Sequence, residues 1–205
     1  MDFDMAALSA IQRYKLLTST VVPRPIAWIV TQDAQAIVNV APFSCFNLMG
    51  YTPPVVAIGI QAQDNGEAKD TRANIEANGE MVVNLVTSSD VEQMTRTAAN
   101  FPPDVDEAEA TGLRLTPSIT VRPPRIASAP VSLECRLHSL LDVGPSQAII
   151  IGEVLTMHIQ DRYLLDSQEC LVDTPALVLA GRMHGPGWYV RCDAPFPHQP
   201  TGASR

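Results

Sequence analysis

The strongest constraint on this chain is a series of short β-rich runs with too little helix between them. The runs are Ile26–Thr31, Ala36–Ala41, Val55–Gln61, Met81–Thr87, Val131–Leu137, Ala148–Ile159 and Trp188–Cys192. Most are rich in Val and Ile and bounded by Pro, Gly, Asp or Asn, as strands are. A parallel sheet would need a crossover of a dozen or more residues, usually a helix, between successive strands. This chain lacks them, so the expected fold is mainly β: an antiparallel barrel or sandwich with a few flanking helices. A closed barrel also removes exposed strand edges.

Helix signals are few. Thr71–Asn78 reads as a short helix closed by Gly79, where a positive φ costs little. Ser89-Asp90-Val91-Glu92 has the pattern of a capping box and opens a segment running to about Asn100, stopped by Pro102 and Pro103. Asp104–Ala110 adds an acidic turn. Met81–Val86 is almost continuously apolar, which predicts a strand buried on both faces or set at a subunit contact. Thr116–Pro130, with four prolines, reads as an extended connection. Residues 1–192 are expected to form one domain, and the Pro-rich stretch 193–205 a mobile tail.

Charge narrows the partners. The net charge is −8 and the pI about 4.9, which argues against nucleic acid or an acidic membrane surface. No apolar run approaches a membrane span, and Met1–Met5 lacks the flank of a secretory signal, so a cytoplasmic protein is expected. Cys45, Cys135, Cys170 and Cys192 form no CxxC pair, and the histidines show no HExxH spacing, so no metal site is expected. Only two of the fourteen basic residues are lysines, Lys15 and Lys69.

The familiar nucleotide and hydrolase signatures GxGxxG, GxxxxGK[ST] and GxSxG are missing. Two segments carry chemistry instead. Lys69-Asp70-Thr71 precedes the predicted helix, whose first turn offers unpaired N–H groups and partial positive charge to a phosphate. The same residues also suit an ordinary helix start, with Asp70 or Thr71 as the cap and Lys69 in solvent. Asn39–Asn47 (Asn-Val-Ala-Pro-Phe-Ser-Cys-Phe-Asn) follows a strand that its proline interrupts. It either presents backbone amides, a hydroxyl and an aromatic ring to a flat heterocycle, or forms a plain strand–loop junction.

In order and spacing these segments resemble the flavin reductase-like family of FMN-binding split barrels, which includes flavoredoxin. The resemblance rests on Val22-Pro23-Arg24-Pro25-Ile26-Ala27-Trp28, Asn39–Asn47, Pro53-Pro54, Lys69–Ile75, Gly79–Val86 and Gly181–Tyr189. It implies a six-stranded Greek-key split barrel and a homodimer with FMN near the subunit interface. It also implies that Ala41, Pro42, Phe43, Ser44, Cys45, Phe46 and Asn47 wrap the isoalloxazine edge. Lys69, Asp70 and Thr71 would form the phosphate end. Arg24 and Trp28 would be cofactor contacts or barrel packing, and His184 a residue near the flavin or an exposed imidazole.

The function this implies is an NAD(P)H:flavin oxidoreductase that passes electrons to a small-molecule acceptor. The cofactor would carry the bond chemistry, so no catalytic side chain is expected. The alternatives are an FMN electron carrier that does not use nicotinamide directly, and a binding module without flavin. Lys69, Thr71 and the intact Ala41–Asn47 segment speak against the last.

Overall fold

The computed structural model describes residues 1–63 and 65–197. The chain opens with α1 (Ala10–Thr20) and continues through β1 (Arg24–Pro25), β2 (Ala27–Gln32), β3 (Val38–Phe43), β4 (Phe46–Tyr51) and β5 (Pro54–Gln61). Then come α2 (Asp70–Asn78), β6 (Glu80–Leu85), α3 (Val91–Arg96), α4 (Glu107–Thr111), β7 (Leu115–Thr116) and β8 (Arg125–Ile126). A long hairpin, β9 (Val131–Asp142) and β10 (Gln147–Ile159), leads to the short strands β11 (Leu164–Asp166), β12 (Leu171–Val172), β13 (Ala180–Arg182) and β14 (Tyr189–Arg191). No described helix is long and apolar enough to cross a membrane. Part of the expected tail, 198–205, lies outside the described residues.

One antiparallel sheet dominates, in the order β3-β2-β6-β9-β10-β5-β4. Its seven strands are one more than the resemblance implies, because Phe46–Tyr51 forms an edge strand of its own. The two outermost strands, β3 and β4, are joined by only Ser44 and Cys45. The sheet must therefore curl until its edges meet at that corner, where the Gly59 N–H donates to the Cys45 carbonyl at 2.7 Å. No ladder joins β3 to β4, so the barrel is split along that seam.

The central strands β2 and β6 are buried on both faces, which explains why they read as continuous apolar runs. On β2, Ile29 faces one cluster with Ile58, Ile60, Ile75, Met81, Val83 and Ile150. Trp28 and Val30 face the other, with Val40, Val82, Met94 and Ala108. Full burial of such side chains contributes roughly 1.5–3 kcal/mol each. The apolar strand β6 is thus a central strand with Met81 and Val83 on one side and Val82 on the other, not a subunit contact. Gly152, beside a bulge in β10, leaves room for the Met81 side chain, which an added Cβ would meet.

Two local expectations are corrected, and one helix is added. Pro42 does not end its strand. It pairs with Trp28 inside β3, which tolerates the missing N–H because β3 is a sheet edge. The Ser89 capping box does not form. α3 starts at Val91 without a side-chain cap and ends at Arg96, since the Thr87 hydroxyl engages both Ser89 and the Asp90 carboxylate. Helix α1 was not anticipated, although Ser9 and Gln12 form a reciprocal capping box at its start. None of its residues is buried, and Ile11, Tyr14, Leu17 and Val21 lie exposed along it at helical spacing.

Candidate functional site

Helix α2 starts where β5 has delivered the chain to the rim of the barrel, and Ile75 plugs its apolar side into the core. Gly79 closes it in the left-handed region at φ 70°. Lys69 occupies the position before the first turn without a side-chain cap, so neither Asp70 nor Thr71 caps the helix. The first-turn N–H groups have no carbonyl of their own helix to bond. Thr71 is 1% exposed, and its hydroxyl accepts from the Asn39 amide at 2.8 Å.

A cleft of about 160 Å³ lies against that helix start. Asn39, Ala41, Pro42 and Phe43 of β3 form one wall, and Lys69, Asp70 and Thr71 another. Gln63, the segment Thr97–Phe101 and Glu107 complete it. The two segments singled out in the sequence are therefore brought together at Ala41–Phe43 and Lys69–Thr71. Lys69 makes no hydrogen bond or ion pair with side chains among the described residues, so its ammonium is available. The cleft is small beside the ~300–1,000 Å³ of ligand pockets. It has room for a small group such as a phosphate and not for a fused three-ring system.

Glu107 went unassigned in the sequence, where only an acidic turn was visible. Its Oε2 accepts the Val40 N–H at 2.6 Å, while Asp106 accepts from Val38 at 3.4 Å. Two outward N–H groups of the edge strand are so satisfied by carboxylates. Burial pushes the Glu107 carboxyl up to about 7, opposed by the Val40 hydrogen bond, with Asp70 and Asp106 raising it and Lys69 lowering it. Thr97–Phe101 also escaped notice, since nothing local marks it. It is tied to the core by the Trp28 indole, which donates to the Thr97 hydroxyl at 2.9 Å.

The remaining expected site residues stand outside the cleft. Trp28 is fully enclosed in the core, so it is barrel packing. The Arg24 guanidinium donates to the carbonyls of Thr18 (2.7 Å), Val21 (2.9 Å) and Met183 (3.0 Å), and reaches Ser44 Oγ at 3.5 Å. It clasps the end of α1 and the β13–β14 hairpin to the barrel corner. Ser44 and Cys45 form that corner, Phe46 packs on the inner core, and Asn47 is exposed. His184 is exposed and stacks on Trp188, with ring centroids 5.5 Å apart.

A curled antiparallel sheet, split at one seam and carrying an anion-suited helix start at its rim, defines a class of small cofactor-binding barrel. Residues 18–182 match the flavin reductase like domain, and the chain belongs to that family. It is 44% identical over 191 residues to a protein of Deinococcus radiodurans, covering 91% of this chain and 84% of that one. Its fold is similar to that of the 2-nitrobenzoate 2-nitroreductase NbaA of Pseudomonas fluorescens (TM-score 0.89, 33% identity, covering 100% and 99% of the two chains). It is also similar to the nitrilotriacetate monooxygenase component B of Bacillus cereus (TM-score 0.90, 28% identity, covering 97% and 98%).

Proposed function

We propose that the chain is an FMN-dependent oxidoreductase that takes electrons from NAD(P)H and passes them to a small-molecule acceptor. The observation that carries this reading is the cleft in which Lys69, Thr71 and the start of α2 face Ala41–Phe43. A dianionic phosphate suits that donor set: one ammonium, one buried hydroxyl and first-turn N–H groups. Bound flavin would supply the two-electron chemistry. Lys69 and Thr71 hold the phosphate, and Asp70 positions the helix start. Ala41–Asn47 lies along the ring system, with Phe43 bridging the cleft and the corner. His184, on a hairpin that Arg24 ties to Ser44, approaches the ring in this reading.

The protein works as a homodimer in this reading. The cleft encloses only one end of the cofactor, and apolar side chains remain in water on α1 and on β4, where Leu48, Met49 and Tyr51 are exposed. A second copy would cover them and complete the site. The test is anaerobic mixing of the flavin-loaded protein with NADH and with NADPH. Bleaching of the flavin absorbance at a catalytically useful rate is expected with one of them. Bleaching by neither, with dithionite still effective, leaves an electron carrier in place of a reductase.

A further inference from the structure

The flavin reading leaves one carboxyl oxygen of the cleft wall, Oε1 of Glu107, without a purpose. Glu107 is 7% exposed and stands between two cavities, the cleft with Lys69 and Thr71 and a neighbour that contains Asp33 and Asn74. Its Oε2 is fixed by the Val40 N–H, whereas Oε1 accepts no hydrogen bond among the described residues. Covering a sheet edge needs one acceptor, which a glutamine supplies equally well. The free oxygen is what calls for explanation: an ionised one would repel the anion that the rest of the cleft attracts.

Resting on the flavin reading, we propose that Glu107 is a specificity-determining contact at the phosphate end. As the neutral acid it donates its O–H to a phosphoryl oxygen, and as the carboxylate it repels that group. The charged groups around it fit this role. Asp70 on α2, Asp106 at the start of α4 and Asp33 across the neighbouring cavity are acidic, and Lys69 is the one cation among the residues lining either cavity. β3 offers it only a backbone N–H, since the Asn39 amide donates to Thr31 and Thr71, and the segment Thr97–Phe101 after α3 lines the cleft with neutral residues only. Burial first, then the aspartates, keep its proton on to about pH 7, so both forms are present near neutrality.

The experiment compares FMN with riboflavin, which has no phosphate, by fluorescence quenching at pH 6.5, 7.5 and 8.5, on the wild type and on Glu107→Gln. Wild-type affinity for FMN should fall about tenfold or more over that range, because each pH unit above a group's pKa depletes its acid form tenfold. Riboflavin affinity should stay level. Glu107→Gln should bind FMN with no such slope, since its amide donates at every pH while its carbonyl keeps the Val40 bond. A parallel fall for riboflavin, a level wild-type FMN profile, or an unchanged slope in the variant would each overturn the proposal. The wild-type comparison of the two flavins decides alone if the variant does not fold. Binding of neither flavin at any pH would overturn the flavin reading and this inference with it; tight, pH-independent FMN binding overturns only the inference.

Discussion

The Asn39 side-chain amide donates to the Thr71 hydroxyl at 2.8 Å and to the Thr31 hydroxyl at 3.2 Å. This contact joins the edge strand β3 to the first turn of α2. It occupies a lone pair of Thr71 and leaves the hydroxyl proton free to be donated, which is the form a phosphate oxygen needs. Removing the amide should therefore act through Thr71. We expect Asn39→Ala to weaken FMN binding by about 1 kcal/mol, the net worth of one neutral hydrogen bond, and to leave riboflavin binding unchanged. Equal losses for both flavins would mean that the strand, not the hydroxyl, had been disturbed.

Lys69 should count for more, because its bond to phosphate would be charge-assisted. Lys69→Ala is expected to cost about 1.5–3 kcal/mol of FMN affinity with an unchanged circular dichroism spectrum. A cost under about 0.5 kcal/mol would place the ammonium in solvent, where isolated charges contribute little.

Glu134 carries a structural prediction. Its fully buried carboxylate accepts from the N–H groups of Ile119, Thr120 and Val121, and from His158 Nε2 at 2.6 Å. Burial alone would raise its carboxyl, but those N–H groups and His158 hold it below the ordinary range. A carboxyl lowered on folding adds stability above its unfolded pKa and loses it as pH falls through the folded value. Glu134→Ala should cost about 1–3 kcal/mol in urea unfolding at pH 7, since it leaves the buried Val121 N–H and the part-buried N–H groups of Ile119 and Thr120 without their acceptor. Its stability should also decline less steeply than the wild type's on acidification below about pH 4.5.

The exposed stripe on α1 predicts assembly. Light scattering should give twice the 22.2 kDa chain mass, and Tyr14→Asp combined with Leu17→Asp should return one chain mass by placing charge in an apolar contact. A double variant that stays dimeric would move the interface off α1. Flavin affinity should drop with the dimer if the second copy completes the site.

Much of the sheet was legible, because burial on both faces writes Val and Ile into consecutive positions such as Trp28–Val30 and Met81–Val83. The close of α2 at Gly79 was legible for steric reasons, and its start only to within a residue, since Lys69 and not Asp70 or Thr71 holds the cap position. Pro42 misled because a proline's missing N–H matters only in a central strand, and edge position is a property of the assembled sheet. Ser89 misled because its hydroxyl pairs with that of Thr87 instead of accepting a first-turn N–H. Thr97–Phe101 and Glu107 reach the cleft through tertiary contacts, Trp28 to Thr97 and Val40 to Glu107, that no local pattern encodes. The Ser9–Gln12 pair was readable and would have located α1.

The Ser44–Cys45 corner has one more consequence. Two residues span about 7 Å at most, so the opposite margins of the sheet are tethered with little slack, and the girth of the barrel is set at that point. Everything hung from the corner inherits this fixed gauge: Arg24 reaches Ser44 from one side and holds the His184 hairpin from the other. Loops elsewhere on the rim can lengthen at little entropic cost. Here, even a short glycine insertion would let the seam yawn and carry Phe43 away from Lys69, so the chain keeps a short connection where the two halves of its site must stay in register.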